Sequence, residues 1–214
     1  MITRLDEQLL KLNKKMIEMG ALCEEILALS ATALIEGDVE IKDKVEPIDH
    51  EIDQMEREIE SFCLKLLLRQ QPVARDLRQI SAALKMITDM ERIGDQAEDI
   101  ADIIPKLNGR TGEECHYIRD MAESTIKMVT DSIDAYVKQD LQCAQAVCDY
   151  DNTVDHQFRR VKHALKKMIA ENTADGEYAL DLLMIAKYFE RIGDHAVNIA
   201  EWVAFSVTGV HKGA

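Results

Sequence analysis

Glu91-Arg92-Ile93-Gly94-Asp95 returns later in the chain as Glu190-Arg191-Ile192-Gly193-Asp194. Both copies go on with Ala at the next position but one (Ala97, Ala196) and with Ile-Ala three further along (Ile100-Ala101, Ile199-Ala200). Agreement over so many positions at one offset marks an internal duplication, and the offset is close to half of the 214 residues. The chain therefore has to fold as two copies of one unit, and each copy is small.

The unit reads as helical. Only three Pro and nine Gly interrupt the sequence. From Leu5 to Ile35 apolar residues recur at three- and four-residue spacing, as in Leu5, Leu9, Leu12, Met16, Met19 and Cys23, which is the pattern of an amphipathic helix. Gly37-Asp38 ends that helix and opens a second, from Asp38 to Gln70, with Pro47 as a kink or break. Gln71-Pro72 closes the second helix; a third runs from Val73 to Ile104, stopped by Pro105 and the Asn108-Gly109 turn. The plan then repeats. Thr111-Gly112-Glu113-Glu114 has capping-box spacing and opens a fourth helix to Lys138, Asp140 opens a fifth to Ala170, and a sixth spans Glu177 to Ser206. The tail from Gly209 is expected to fray. Long helices joined by short turns lie antiparallel, so the expected fold is all-α, with six long helices in two tandem three-helix bundles, residues 1–108 and 109–214. With 5% aromatic residues, the core must be aliphatic, with Met and Ala filling gaps.

Charge narrows the function classes. Forty acidic against 26 basic side chains give a net charge of −14, which over the protein as a whole repels phosphate backbones and anionic lipid head groups and argues against nucleic-acid binding. The five cysteines (Cys23, Cys63, Cys115, Cys143, Cys148) form no CxxC and sit in apolar stretches, as small core residues of a reducing compartment do. The opening MITRLDEQLLKLNKK lacks the apolar run of a signal peptide, and no 18-residue apolar segment occurs, so a cytoplasmic location is expected.

The acids of the repeat carry the chemistry. Two acids four residues apart on a helix are ordinarily just solvated. Here, however, a helical projection puts Glu91, Asp95, Glu98 and Asp102 along the edge of the apolar arc of the third helix, with Glu190, Asp194, Asn198 and Glu201 in the same place on the sixth. The preceding helix of each half has its own pair, Asp49 with Asp53 and Asp151 with Asp155. If the second and third helices hinge near residue 71 and the fifth and sixth near residue 172, each pair lies level with the pair across the groove. Gly94 and Gly193 sit between the acids although a helical Gly costs about 1 kcal/mol relative to Ala, so either a neighbouring helix or a site needs that room. Four carboxylates at one level must share protons or be neutralised by a cation. All-oxygen ligation suits hard ions such as Mg²⁺, Mn²⁺ or Fe, and four carboxylates per half could bridge more than one. Arg92 and Arg191 could orient the carboxylates or simply line the surface.

An enzyme finds less support. The Glu-x-x-His pairs of a ferritin-like di-iron oxidase reduce to Glu113 with His116, at a helix start away from the acids, and His195 is replaced by Gln96 in the other copy. GxSxG, P-loop and HExxH motifs do not occur.

The two ERIGD motifs on the third and sixth of six helices, the block Gln71-Pro72-Val73-Ala74-Arg75-Asp76-Leu77-Arg78 before the first of them, and the length resemble the PhoU family over nearly the whole chain. The second half lacks the Gln-Pro block and has Thr173-Ala174-Asp175-Gly176-Glu177 in its place. The resemblance implies a non-enzymatic cytoplasmic regulator of phosphate uptake and of the phosphate-starvation response. Its implied contacts are the ATPase subunit of the phosphate transporter and a sensor histidine kinase, with attachment to the membrane only through such partners, and it implies a homodimer. It also implies multinuclear metal clusters on the E(D)xxxD motifs, with Fe first and Zn, Mn or Mg as the other candidates. By motif, Glu91, Asp95, Glu190 and Asp194 would be ligands, with Asp49, Asp53, Asp151 and Asp155 facing them. Glu98, Asp99, Asp102, Asn198, Glu201, Arg92 and Arg191 are further candidates, as ligands or as groups behind them. Because Val197 and Asn198 replace Glu98 and Asp99, the second site is expected to hold fewer ions or hold them less tightly. Two rival readings remain at this stage, a metal-independent helical interaction module and a carboxylate-bridged di-metal enzyme.

Overall fold

The computed structural model describes residues 4–210. Six long helices make up the fold: α1 (Arg4–Glu36), α2 (Lys42–Gln70), α3 (Ala74–Ile103), α4 (Glu113–Lys138), α5 (Leu141–Glu171) and α6 (Gly176–Thr208). Short 3₁₀ turns at Ile104–Leu107 and Thr173–Asp175 complete it, and no strand occurs among the described residues. The all-α, twice-three-helix plan expected from the repeat is what forms. Gly209 caps α6 in the left-handed region, its N–H donating to the Phe205 carbonyl, and the tail beyond Val210 lies outside the described residues.

Three boundaries differ from the sequence reading. α2 starts at Lys42 rather than Asp38, because the Asp38 carboxylate accepts from the Glu40 N–H at 3.0 Å and from Lys44 at 2.6 Å and holds a separate turn. Pro47 does not break α2, which runs through it, since it falls in the second turn and frees only the carbonyl of Asp43, an exposed first-turn residue. The capping box at Thr111 does not form. Gly112 is the N-cap without a side-chain bond, and Glu114 instead accepts a hydrogen bond from the Tyr178 hydroxyl at 3.0 Å, tying α4 to α6. Asp140 does cap α5, accepting from the N–H groups of Gln142 and Cys143 at 2.8 and 3.1 Å.

The helices stack in two layers. α2, α3, α6 and α5 lie side by side in that order, while α1 packs beneath α2 and α3 and α4 packs beneath α5 and α6, touching α1. Pairing distances fix the directions. α1 runs parallel to α3, with Cys23 Sγ 3.5 Å from the Met90 carbonyl and Ser30 Oγ 3.4 Å from the Ala97 carbonyl. α3 and α6 run antiparallel, as shown by Arg78 Nε donating to the Ser206 carbonyl at 3.4 Å and Asp89 meeting His195 at 2.8 Å. Apolar side chains of all six helices form one connected core, from Leu12 and Met16 on α1 to Phe189 and Ile199 on α6. Burying a Leu or Ile fully contributes about 1.5–3 kcal/mol, so this core supplies most of the driving force for folding. Cys23, Cys63 and Cys115 are buried in it and Cys143 and Cys148 partly so; none of the five forms a disulfide, and burial pushes the Cys63 thiol up to about 12. No described helix is long and apolar enough to cross a membrane.

Candidate metal centre

The groove between α2 and α3 is lined with acids because each helix carries them at helical spacing on its core-bordering edge. The antiparallel hinge then sets the register. Lys42 pairs with Asp102 at 2.7 Å near one end of the groove, and a Cβ at Gly94 would meet the Asp49 carboxylate and Ile52 near its middle. This is the pairing the sequence implies.

One ligand oxygen from each of Asp49, Asp53 and Asp95 lies within 4.8 Å of the others. Asp49 is only 7% exposed, and its Oδ1 is buried without a hydrogen-bond partner. Unit charges at such distances repel by about 3–4 kcal/mol per pair at an effective dielectric near 20, which is large against the 5–15 kcal/mol that holds a fold together. The charges therefore need relief. Burial first, then Glu98, Asp53 and Asp95, raise the Asp49 carboxyl to about 6. Glu91 is also raised, by burial and then by Asp95, and Glu98 by burial and then by Asp102. Glu56, which the sequence reading left out, joins the set from α2, raised by burial and then by Glu60 and Asp53. Its level opposite Glu91 follows from the same hinge that aligned the other pairs.

The remaining candidates divide. Arg92 sits 3.0 Å from Asp95 and 3.5 Å from Glu91 and supplies partial neutralisation from the rim. Asp102 is occupied by Lys42. Asp99 faces the other way, into the α3/α6 groove, where it hydrogen-bonds Tyr188. Asp53 shares its outer edge with Arg57 at 3.3 Å, an exposed pair of small energetic value.

The second groove, between α5 and α6, repeats the layout with fewer acids. Asp151 is raised by burial and then by Asp194, Asp155 and Glu190, and Asp194 by burial and then by Glu190, with Lys187 and His195 opposing. Lys187 forms an ion pair with Glu190, and Asp155 pairs with Arg159 at 3.4 Å. Arg191, read from sequence as either an orienting group or a surface residue, forms no ion pair among the described residues, whereas Lys187 pairs with Glu190. Phe158 stands where α2 has Glu56, with the Lys187 ammonium 5.7 Å from its ring. Gly193 also differs from Gly94, since its Cβ would lie 3.5 Å from Asp151 Oδ1, an ordinary contact, against 2.9 Å from Asp49 Oδ1 at Gly94. No triad of acids like Asp49, Asp53 and Asp95 converges in the second half among the described residues. Glu201 is partly buried and Asn198 points away, donating to Asp89 at 3.0 Å beside His195. The Asp89–His195–Asn198 cluster bridges α3 and α6 and was not legible in sequence, because it joins the two halves rather than helices within one.

The donor set fits a hard cation in the first groove. All ligand atoms are carboxylate oxygens, they converge, and one buried oxygen lacks any other partner. In the second groove a lysine already supplies the positive charge.

A family model described as the PhoU domain matches residues 16–104 and 118–203, one match per half. Among curated proteins the chain is similar to the phosphate-specific transport system accessory protein PhoU homolog of Clostridium acetobutylicum, at 34% identity over 206 residues, covering 95% of this chain and 94% of that one. The homolog from Pseudomonas aeruginosa is 35% identical, covering 91% and 81%. Among solved structures, PhoU from Pseudomonas aeruginosa superposes with a TM-score of 0.91 at 33% identity, covering 97% of this chain and all of that one. The phosphate transport system regulatory protein PhoU from Streptococcus pneumoniae, at 23% identity and a TM-score of 0.89, shares the fold.

Proposed function

Because the chain belongs to the PhoU family, we propose that it is an accessory protein of a phosphate transport system, regulating phosphate uptake and the phosphate-starvation response without catalysis of its own. Its relatives' names support the accessory role. The finer reading is an adaptor in the cytoplasm that contacts the transporter ATPase subunit and a sensor histidine kinase, binds a metal ion in the α2/α3 groove, and works as a homodimer.

The observation that carries the metal reading is the buried, partnerless Oδ1 of Asp49 on a carboxylate that lies within 4.8 Å of an oxygen of Asp53 and one of Asp95. Asp49, Asp53 and Asp95 would hold the ion, with Glu91, Glu98 and Glu56 at the margin. A bound cation, Fe first by the family resemblance and Mn, Zn or Mg otherwise, would neutralise these acids and offer open positions to an oxyanion or to an acidic group of a partner. The protein's own part is to fix the carboxylates on two rigid helices, keep Asp49 out of water, and leave the groove open on its outer side. In the second groove the Lys187–Glu190 pair favours a metal-free surface.

Elemental analysis of protein purified without a histidine tag or chelator tests this. Wild type should hold at least one Fe, Mn or Zn per chain, and Asp49→Asn/Asp95→Asn should hold none while keeping its helical circular dichroism. A chelator should lower the thermal midpoint of wild type only, since a ligand that binds the folded form alone stabilises it. Metal-free wild type whose midpoint ignores the chelator would leave a bare acidic docking face. The adaptor role is tested by co-purification with the ATPase subunit and with the kinase, which the double variant should weaken.

A further inference from the structure

The turn between α2 and α3 carries large apolar side chains into solvent: Leu64 and Leu68 are 48% and 82% exposed, and Val73 and Leu77 are 72% and 42% exposed. They do not stand alone. α1 runs parallel to α3 and α6 antiparallel to it, so the start of α1, the α4–α5 turn and the end of α6 all reach this same end of the molecule. Gln79 bonds Asn13 of α1 at 3.1 Å, Arg78 bonds the Ser206 carbonyl, and Ser206 Oγ lies 3.5 Å from Gln139 of the α4–α5 turn. Those neighbours add Leu10, Leu141 and Val210, at 62%, 39% and 71% exposure. Most of the exposed large apolar side chains among the described residues are thus within about two helical turns of one end.

The α2–α3 turn at this end is basic. Between positions 64 and 78 stand Lys65, Arg69, Arg75 and Arg78 against one acid, Asp76, in a chain of net charge −14. Lys65, Arg69 and Arg75 are exposed and form no ion pair among the described residues. Exposed leucines next in sequence to unpaired cations fit the boundary layer of an anionic bilayer, where the apolar side chains enter the acyl region and the long basic ones reach the head groups. A second copy of the chain fits poorly, because a two-fold contact through this face would set the same cations against each other. The acidic grooves lie away from this end, midway along α2 and α3 and along α5 and α6.

We propose that this end of the bundle docks directly on an anionic lipid surface, with Leu68 and Val73 as the inserted side chains and Lys65, Arg69 and Arg75 as the head-group contacts. The proposal rests neither on the metal nor on any protein partner. Its test is co-sedimentation of the purified full chain with vesicles of phosphatidylcholine alone and of phosphatidylcholine with about 30% phosphatidylglycerol. The chain should sediment with the anionic vesicles only. Leu68→Asp/Val73→Asp should cut the apparent affinity at least about tenfold, and Arg69→Glu/Arg75→Glu should do the same while removing most of its salt dependence. All four positions are exposed, so the thermal midpoint of each variant serves as the control for folding. Failure to sediment with anionic vesicles overturns the proposal, including the case in which the same variants lose a protein partner instead. Sedimentation that survives both double variants overturns it as well.

Discussion

An alanine Cβ at position 94 would sit 2.9 Å from Asp49 Oδ1 and 3.1 Å from Ile52 Cδ1, whereas at position 193 the nearest atom is 3.5 Å away. The two glycines of the repeat therefore have different reasons to be there. Gly193→Ala should stabilise the protein by about 1 kcal/mol through helix propensity, raising the thermal midpoint by about 2–4 °C. Gly94→Ala gains the same propensity but displaces the Asp49 carboxylate, so calorimetric titration should show ion affinity down by about tenfold with little change in midpoint. Asp49 also sets a pH dependence. Its folded-state carboxyl is raised to about 6 from 3.8, so the folded chain binds more protons than the unfolded one in that window. Stability of the chelated protein should fall as pH rises from about 4 to 6, and this component should be missing from Asp49→Asn. Melting curves of the two proteins across that range check it. The sequence made these acids legible because helical spacing and hinge position suffice to align them. It did not separate the grooves, since the Lys187–Glu190 pair and the tight contact at Gly94 depend on packing distances that no spacing rule contains.

At the level of single helices, periodicity alone located all six, and the errors lay at their ends. Start signals compete locally. Asp38 and Asp140 are both acids after a helix end, yet Asp140 caps its helix directly while Asp38 is diverted to Lys44 and a turn of its own. Thr111 lost its capping role because Glu114 found a partner on α6, Tyr178, that lies far away in sequence. Asp140→Ala should therefore cost about 1 kcal/mol. Asp38→Ala should cost less, because its bonds are exposed and hold a turn rather than a helix end; urea unfolding of the two variants measures the difference.

For the molecule as a whole, the layer order places α3 and α6 at the centre, each between its own partner helix and the other half. A half cut out at residue 108 would expose the α3 face that packs on α6 and the α1 face that touches α4. We expect residues 1–108 alone to lack a cooperative monomeric transition and to sediment as a dimer, with α3 of one copy covering α3 of the other. The antiparallel α3–α6 contact makes that arrangement natural, because an antiparallel pair of like helices has a two-fold axis between them. Seen this way, the present chain is a covalently joined pair whose symmetry has been released. A true pair must change both copies of a residue at once, but once joined, each copy can drift by itself. That freedom lets one groove keep its three converging acids while the other takes on a lysine and a phenylalanine, and it lets Asp89 meet His195 across the seam while the mirror positions hold Tyr188 and Gln96. Fusion has turned one repeated groove into two grooves of different charge and packing.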